Sequence, residues 1–455
     1  MNGVRVDLRT FLAYVGPGFL VSVAYMDPGN WATNIAGGAR YGTALLWVVV
    51  LSSLMAIVIQ LVAAKLGIAT GDNIARLCRE RFPRPLVIVS WIAAEGAMIA
   101  TDVAEIIGAG IGFKLLLGVP LVGGAVIAGA LSFLLLAARS AYKRGYRTFE
   151  LLIAAFVAVI GFAFLFELVL ARPNALAVAS GLVPSFPDGS AVFYAAGILG
   201  ATVMPHSIYL HTQLVQDRRG RAETAEEAAA IETHLFSDGG EVTAEEPSDA
   251  TGPTADGEST PGERALLADH RAHFQLEATD TGLALFGAMF VNGAMLVLAA
   301  TALFGSGVAT IEAASSTLQS VFGPLASEVF GLALVSAGLS SSFVATMAGQ
   351  TVMDGFLDLR IQAWARRLFT LVPSLAIVLL GFETTGVLVA SQVALSLELP
   401  FILLPLLYFS TRRDVMGPFK NRPSTTVLLG TIVLFIVGLN VVLVLNAVGV
   451  SVVGG

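Results

Sequence analysis

Two short stretches place ligand-type side chains beside helix breakers inside apolar sequence: Tyr25-Met26-Asp27-Pro28-Gly29-Asn30 and Ala201-Thr202-Val203-Met204-Pro205-His206-Ser207. Asp27 offers a hard anionic oxygen, Asn30 a neutral carbonyl oxygen and Met204 a soft thioether. Proline removes a backbone donor and clashes with the preceding turn, and glycine adds backbone freedom. The carbonyls freed by such breaks, those of Ala24 and Ala201, add further oxygens. The chemistry this set suits is coordination of a divalent cation. An ionised Asp in mid-membrane is costly unless paired, and a cation is its natural partner. Sulfur contributes little to holding Mg²⁺ or Ca²⁺ and favours softer first-row ions such as Mn²⁺ and Fe²⁺, and also Cd²⁺. A methionine alone is most often packing; its place beside Pro205 is what singles out Met204.

A second set suits proton movement. Glu95, Asp102 and Glu105 recur at spacings that share one helical face. Intramembrane acids usually face a bundle interior and mark ion or proton paths. His206 follows the second break, with His211 five residues on. Arg366 and Arg367 are expected to pair with Asp102 and Glu105. The expectation is that Asp27 and His206 exchange protons as metal arrives, and that Glu95, Asp102 and Glu105 pass them towards the cytoplasm. The competing reading is a buried structural salt-bridge network, which also perturbs protonation without function. The two histidines do not form a His-Glu-x-x-His zinc motif. His270 and His273 stand at i, i+3 in an acidic segment and read as incidental.

These residues need an apolar scaffold. The chain has 455 residues, 56% hydrophobic and only 13% charged, about half the charge of a soluble domain. Spans of about 20 apolar residues are expected at 11–38 (interrupted), 42–64, 86–112, 119–138, 147–170, 190–216 (interrupted), 279–305, 328–357, 364–382, 385–410 and 425–448, with a short amphipathic helix at 307–322. The first apolar run lacks a small-residue cleavage site and reads as a retained span. The domains are then a cytoplasmic N-terminus (1–10), spans one to six (11–216), an acidic cytoplasmic loop that is largely disordered (217–273), and spans seven to eleven (274–455). That loop carries 14 Asp/Glu and 5 Lys/Arg, so the net charge of −7 belongs to it rather than to the membrane body. With the N-terminus inside, 23 of the 26 Lys/Arg fall on the inner side, as the positive-inside rule asks, and the C-terminus lies outside. Cys78, the one cysteine, excludes a disulfide framework. Nothing indicates nucleic-acid binding or an obligatory protein partner; the expected partners are metal ions, protons and the bilayer, with no resident cofactor.

The breaks fall in spans one and six. A ten-span core built of two five-span halves puts these in equivalent places, and an odd number inserts the halves in opposite orientations. Interrupted segments at matching positions of inverted halves point to a transporter's midplane site.

At these residues the chain resembles the Nramp family of proton-coupled divalent metal transporters. Asp27-Pro28-Gly29-Asn30 and Met204-Pro205-His206 look like the family's two metal-site signatures. Ala100-Thr101-Asp102-Val103-Ala104-Glu105, Ala348-Gly349-Gln350, Ser391-Gln392-Val393 and Leu397-Glu398-Leu399-Pro400 are similar too. The resemblance implies an all-α, LeuT-like inverted repeat of five plus five helices within about eleven, and uptake towards the cytoplasm. It makes Asp27, Asn30 and Met204 side-chain ligands, with carbonyls from Ala24 and Ala201, and brings Gln392 into the shell of an occluded state. It gives Asn292 a gating position, to which His211 is added. Ser207, Leu339 and Glu398 depart from the family pattern, as does the long acidic loop. The reading is therefore a proton-linked importer of Mn²⁺ and Fe²⁺ and not an enzyme. Its rivals are a Mg²⁺ or broad divalent carrier, a sodium-coupled amino-acid carrier on the same fold, and a membrane-embedded hydrolase or sensor. Asp27 would repel a carboxylate substrate, and no nucleophile–base arrangement supports the last.

Overall fold

The computed structural model describes residues 16–141, 146–217, 261–306 and 310–448. Every regular element among them is helical. Span one is split into Pro17–Ala24 and Pro28–Tyr41. Span two is Leu46–Thr70, span three Arg84–Leu117, span four Leu121–Ala141 and span five Tyr146–Ala171. Span six is split into Ala191–Thr202 and 205–217. Spans seven to eleven are Pro261–Ala302, Pro324–Leu357, Ala363–Leu379, Thr384–Thr411 and Pro423–Ala447. Among the described residues eight helices are long and apolar enough to cross a membrane, span six being counted across its break as Ala191–Asp217. The first span falls short because it is broken, the fourth because its described apolar part is brief (Leu121–Leu136), and the ninth because it has 17 residues.

The expected boundaries shift where local chemistry is stronger than hydropathy. Gly42, at φ 62°, ends span one and turns the chain, so span two starts at Leu46 rather than 42. Span seven starts at Pro261, so residues 261–273, expected within a largely disordered loop, are helical. Residues 1–15 and 218–260, covering the rest of that loop and the N-terminus, lie outside the described residues. The amphipathic helix expected near 307–322 is Ile311–Phe322, capped by Thr310 Oγ1 on the Ala313 amide at 3.1 Å. Cys78, expected in a polar connector, is buried on a short helix, Ile74–Arg81, capped by Asn73.

Small residues let the helices approach closely. Spans three and eight make the most extensive contact; Gly338 packs against the backbone of Glu105 and Ala109, and Gly112 against Val335. Trp31, fully buried on the second half of span one, meets Phe164 of span five and Phe330 of span eight edge-on, with centroids 4.6 and 5.0 Å away. On one face of the bundle the short helix Ile74–Arg81, between spans two and three, is tied to the ends of spans eight and ten by Arg76–Asp354, Arg79–Asp358 and Arg81–Asp414. Lys114, on the opposite end of span three, pairs with Glu312. This sidedness agrees with the span count. Arg366 and Arg367 are buried inside span nine, so they leave the inner tally of basic residues, and that excess persists without them.

Candidate metal site

Both breaks are buried, so their freed backbone groups need partners that water cannot supply. Side chains provide them. Asn292 Nδ2 donates to the Tyr25 carbonyl at 2.7 Å, and Trp31 Nε1 to that of Met26 at 3.2 Å. Asn292 Oδ1 in turn accepts from Asn34 Nδ2 at 3.0 Å, so span seven clamps both halves of span one. Its Asp280 Oδ2 also accepts from the Gly16 and Gly18 amides at 3.2 and 3.1 Å, holding the start of the first helix. The Ala24 carbonyl accepts from the Asp27 amide at 3.3 Å, closing a tight turn.

Asp27 caps the second half of span one, its Oδ1 accepting from the Asn30 amide at 2.7 Å and from Asn30 Nδ2 at 2.9 Å. The same Nδ2 donates to the Ala201 carbonyl at 2.9 Å, joining the two breaks. Met204 follows in the second break and is fully buried, as are Asp27, Asn30 and Gln392. Gln392 of span ten lies against Gly29, where a Cβ would overlap its carboxamide, and Gly200 leaves room for the Gln392 backbone. Span ten therefore packs on both breaks at once. Asp27 Oδ2, Asn30 Oδ1 and Gln392 Oε1 are buried acceptors without a hydrogen-bond partner. The structure thus brings Asp27, Asn30, Ala201 and Gln392 together, with Ala24 and Met204 in the same two breaks. Three bare oxygens and a neighbouring thioether are a donor set that fits a cation. Among the described residues no group of three or more His, Cys, Asp or Glu forms a metal centre. His270 instead meets Phe419 edge-on at 5.8 Å.

The charged residues pair differently from expectation. Arg366 pairs with Glu95, and Arg367 with Asp102; Arg367 also donates to Ser132 Oγ at 3.3 Å. Both Glu105 oxygens are buried without a partner. The reason is helical phase: seven residues return nearly to the same face, whereas three leave Glu105 about 60° round from Asp102. His206 has Nδ1 3.3 Å from Thr101 Oγ1, and its Nε2 has no partner. The link from the second break to span three therefore runs through Thr101, which the sequence reading passed over beside Asp102.

His211 lies in a network that the sequence did not reveal. Its Nδ1 is 2.8 Å from Gln60 Oε1 and its Nε2 2.9 Å from Glu277 Oε1. Gln60 Nε2 donates to Tyr25 OH at 2.7 Å and to Ser207 Oγ at 2.9 Å. With the amide so oriented, His211 Nδ1 must donate, and its Nε2 faces a carboxyl. The His211–Glu277 pair therefore holds one proton between its facing atoms. Ser207 gains its role here, beneath the first break. Glu398 accepts from Tyr209 OH at 3.3 Å. The signal that finds Gln60 and Glu277 is polarity at buried helical positions on spans two and seven, which becomes a network only once the helices are packed.

Comparison with known proteins agrees with this architecture. Residues 18–446 match the model of the Nramp family, natural resistance-associated macrophage protein-like. The chain is 43% identical over 436 residues to a divalent metal cation transporter, MntH, of Deinococcus radiodurans, covering 95% of this chain and 89% of that one. It superposes on the manganese transporter of Eremococcus coleocola, solved with an aromatic bis-isothiourea compound, with a TM-score of 0.78 and 29% identity over 97% of this chain and 88% of the other. A nucleobase-cation-symport-1 family transporter in a closed conformation shares the fold at 14% identity, with a TM-score of 0.56 over 94% and 90% of the two chains. The fold is the LeuT-like inverted repeat, with helices one and six broken.

Proposed function

The chain belongs to the Nramp family, and from that premise we propose that this multi-pass membrane protein imports divalent transition-metal ions, Mn²⁺ and Fe²⁺ foremost, by proton-coupled alternating access. The observation that carries the reading is the set of unpartnered oxygens on Asp27, Asn30 and Gln392 where the broken spans face each other. Each dry, unpaired acceptor costs about 1–3 kcal/mol. A divalent cation offsets that cost at all three together, and Asp27 supplies the counter-charge.

In this reading Asp27, Asn30 and Met204 bind through side chains, Ala24 and Ala201 through carbonyls, and Gln392 completes the shell when the site is closed. Met204 sets the preference for softer ions over Mg²⁺ and Ca²⁺. The printed names of the relatives, a divalent metal cation transporter and a manganese transporter, support the same cargo class. Asn292 and the His211–Gln60–Tyr25 network hold the first half of span one closed, and release of these contacts opens the inner route. A cleft of about 360 Å³ lined by Gln213, Met347 and Gln350 lies on the basic face and serves as the exit. Protons pass from Asp27 and His206 by way of Thr101 to Asp102–Arg367 and Glu95–Arg366, with the N-terminus and this basic face in the cytoplasm and the C-terminus outside.

The test is uptake of radiolabelled Mn²⁺ into proteoliposomes, with competing Fe²⁺, Cd²⁺, Mg²⁺ or Ca²⁺ and an imposed pH gradient. Fe²⁺ and Cd²⁺ should compete, Mg²⁺ and Ca²⁺ should not, and Mn²⁺ should carry acid into the lumen. Equal competition by Mg²⁺, or uptake indifferent to the pH gradient with no acidification, would overturn the reading.

A further inference from the structure

On the basic face, away from the metal site, a cleft of about 520 Å³ lies between the ends of spans two, seven and eleven. Its rim carries three cations, Lys65, Arg271 and Arg422, and among the described residues none of them is in an ion pair. Lys65 Nζ reaches only neutral acceptors, Asn421 Oδ1 at 3.0 Å and the Lys420 carbonyl at 3.2 Å, and stands 5.1 Å from the centroid of the Phe419 ring. Asn421 is 5% exposed and its Nδ2 has no acceptor. Flipping the amide would not relieve it, because Oδ1 already takes the Lys65 proton. Below this polar rim the wall turns apolar, through Val58 and Leu61 to the exposed Leu428.

We propose that this cleft binds the phosphate headgroup of an anionic phospholipid from the leaflet on the basic face, with its acyl chain along span eleven. Three cations without an ion pair among the described residues, and an orphan amide donor, suit oxygen acceptors bearing negative charge. The apolar floor running into the membrane requires a chain attached to them. A free phosphate meets the first demand and not the second; a phosphatidylcholine meets the second and not the first. The occupied cleft ties span seven, whose Asn292 and Asp280 hold span one, to span eleven outside the ten-span core. Each basic residue near an anionic membrane surface favours binding by roughly fivefold, so the three together give a preference on the order of 100-fold for phosphatidylglycerol over phosphatidylcholine.

The full-length protein in detergent, titrated with each lipid and read by native mass spectrometry, tests this. Arg271→Gln with Arg422→Gln leaves the Lys65 contacts intact and should weaken phosphatidylglycerol binding about 30-fold, while the thermal midpoint in phosphatidylcholine micelles stays at the wild-type value. Arg271→Lys with Arg422→Lys should retain the binding. Equal binding of the two lipids by the wild type, or undiminished phosphatidylglycerol binding by the glutamine variant, overturns the proposal. Displacement of the lipid by an equal concentration of inorganic phosphate would show the ligand to be free phosphate. A carbodiimide cross-link from Lys65 to an acid within 217–260 that persists in phosphatidylglycerol would assign the cleft to the chain's own acidic segment.

Discussion

Replacing Asp102 separates a proton relay from a purely structural ion pair. Its side chain is 4% exposed and that of Arg367 fully buried. Apart from Asp102, the guanidinium meets only Ser132 Oγ at 3.3 Å among the described residues, and its Nε has no partner there. Asp102→Asn keeps the shape and removes the counter-charge, leaving a cation stranded in a dry interior. Breaking a buried pair from one side costs about 3–5 kcal/mol, a factor of roughly 10²–10⁴ in the folded-to-unfolded ratio and a large share of a typical stability of about 5–15 kcal/mol. The double variant Asp102→Asn with Arg367→Gln has no stranded charge, and its stability should return to within about 1 kcal/mol of wild type. The assay is a thermal midpoint in detergent beside paired Mn²⁺ uptake and lumenal acidification in proteoliposomes. A relay at Asp102 predicts that the double variant regains folding and metal uptake but not acidification. If it regains all three, the pair is structural and the relay through Asp102 is wrong. If Asp102→Asn alone matches wild type in midpoint and acidification, the argument from the buried charge fails as well.

Gly29→Ala would push a methyl into the Gln392 carboxamide; with overpacking at about 1–3 kcal/mol, Mn²⁺ uptake should fall by about 5- to 150-fold, and uptake at the wild-type rate would refute the close packing of span ten on the break. Met204→Ala should weaken Mn²⁺ uptake and admit Ca²⁺ as a competitor, read in the same flux assay; unchanged discrimination would remove the thioether from the site. Asn292→Leu strips the Tyr25 carbonyl and the Asn34 amide of their partner, two orphaned groups at about 1–3 kcal/mol each, and should raise accessibility of a thiol probe placed at residue 22 from the basic face. On that face Arg412, bonded to Asp414, holds its carboxyl below the ordinary value of 3.8. A depressed carboxyl contributes stability that is present above its unfolded pKa and is lost as pH falls through the folded one, here below 3.8. Acidification from pH 7 to 5 therefore leaves this cluster ionised, and Arg412→Gln should not alter the shape of the uptake-versus-pH curve over that range.

The breaks were legible because proline and glycine act locally: Pro28 and Pro205 each begin the second half of a broken span beside ligand-type side chains, and Asp27 caps the helix that Pro28 begins. The spans were legible because hydrocarbon tolerates so few charges. What sequence periodicity could not supply is which partner each buried polar group finds. Arg366 and Arg367 follow one another in the chain, and three acids lay within plausible reach; only the packed phase of spans three and nine selects Glu95 and Asp102 and leaves Glu105 bare. Gln60 and Glu277 carry no motif of their own, and Thr101 only the stretch it shares with Asp102; they matter through atoms contributed by helices far away in sequence. The helical stretch 261–273 was missed because its composition is that of a solvated loop, although it continues span seven.

The site also depends on residues that never touch the ion. A broken helix in hydrocarbon exposes backbone carbonyls as well as side chains, and an unsatisfied carbonyl is itself a cation ligand of poor selectivity. Asn292 and Trp31 occupy those of Tyr25 and Met26. The acceptors left bare are then side-chain oxygens of Asp27, Asn30 and Gln392, one from each of three sequence positions that can be rotated or withdrawn. A site assembled from spans one, six and ten in this way exists only while all three are packed together. In the proposed site, moving span ten off Gly29 and Gly200 would remove the Gln392 oxygen and expose the others, which would couple release of the ion to motion of the helices more directly than a cage built on one element could.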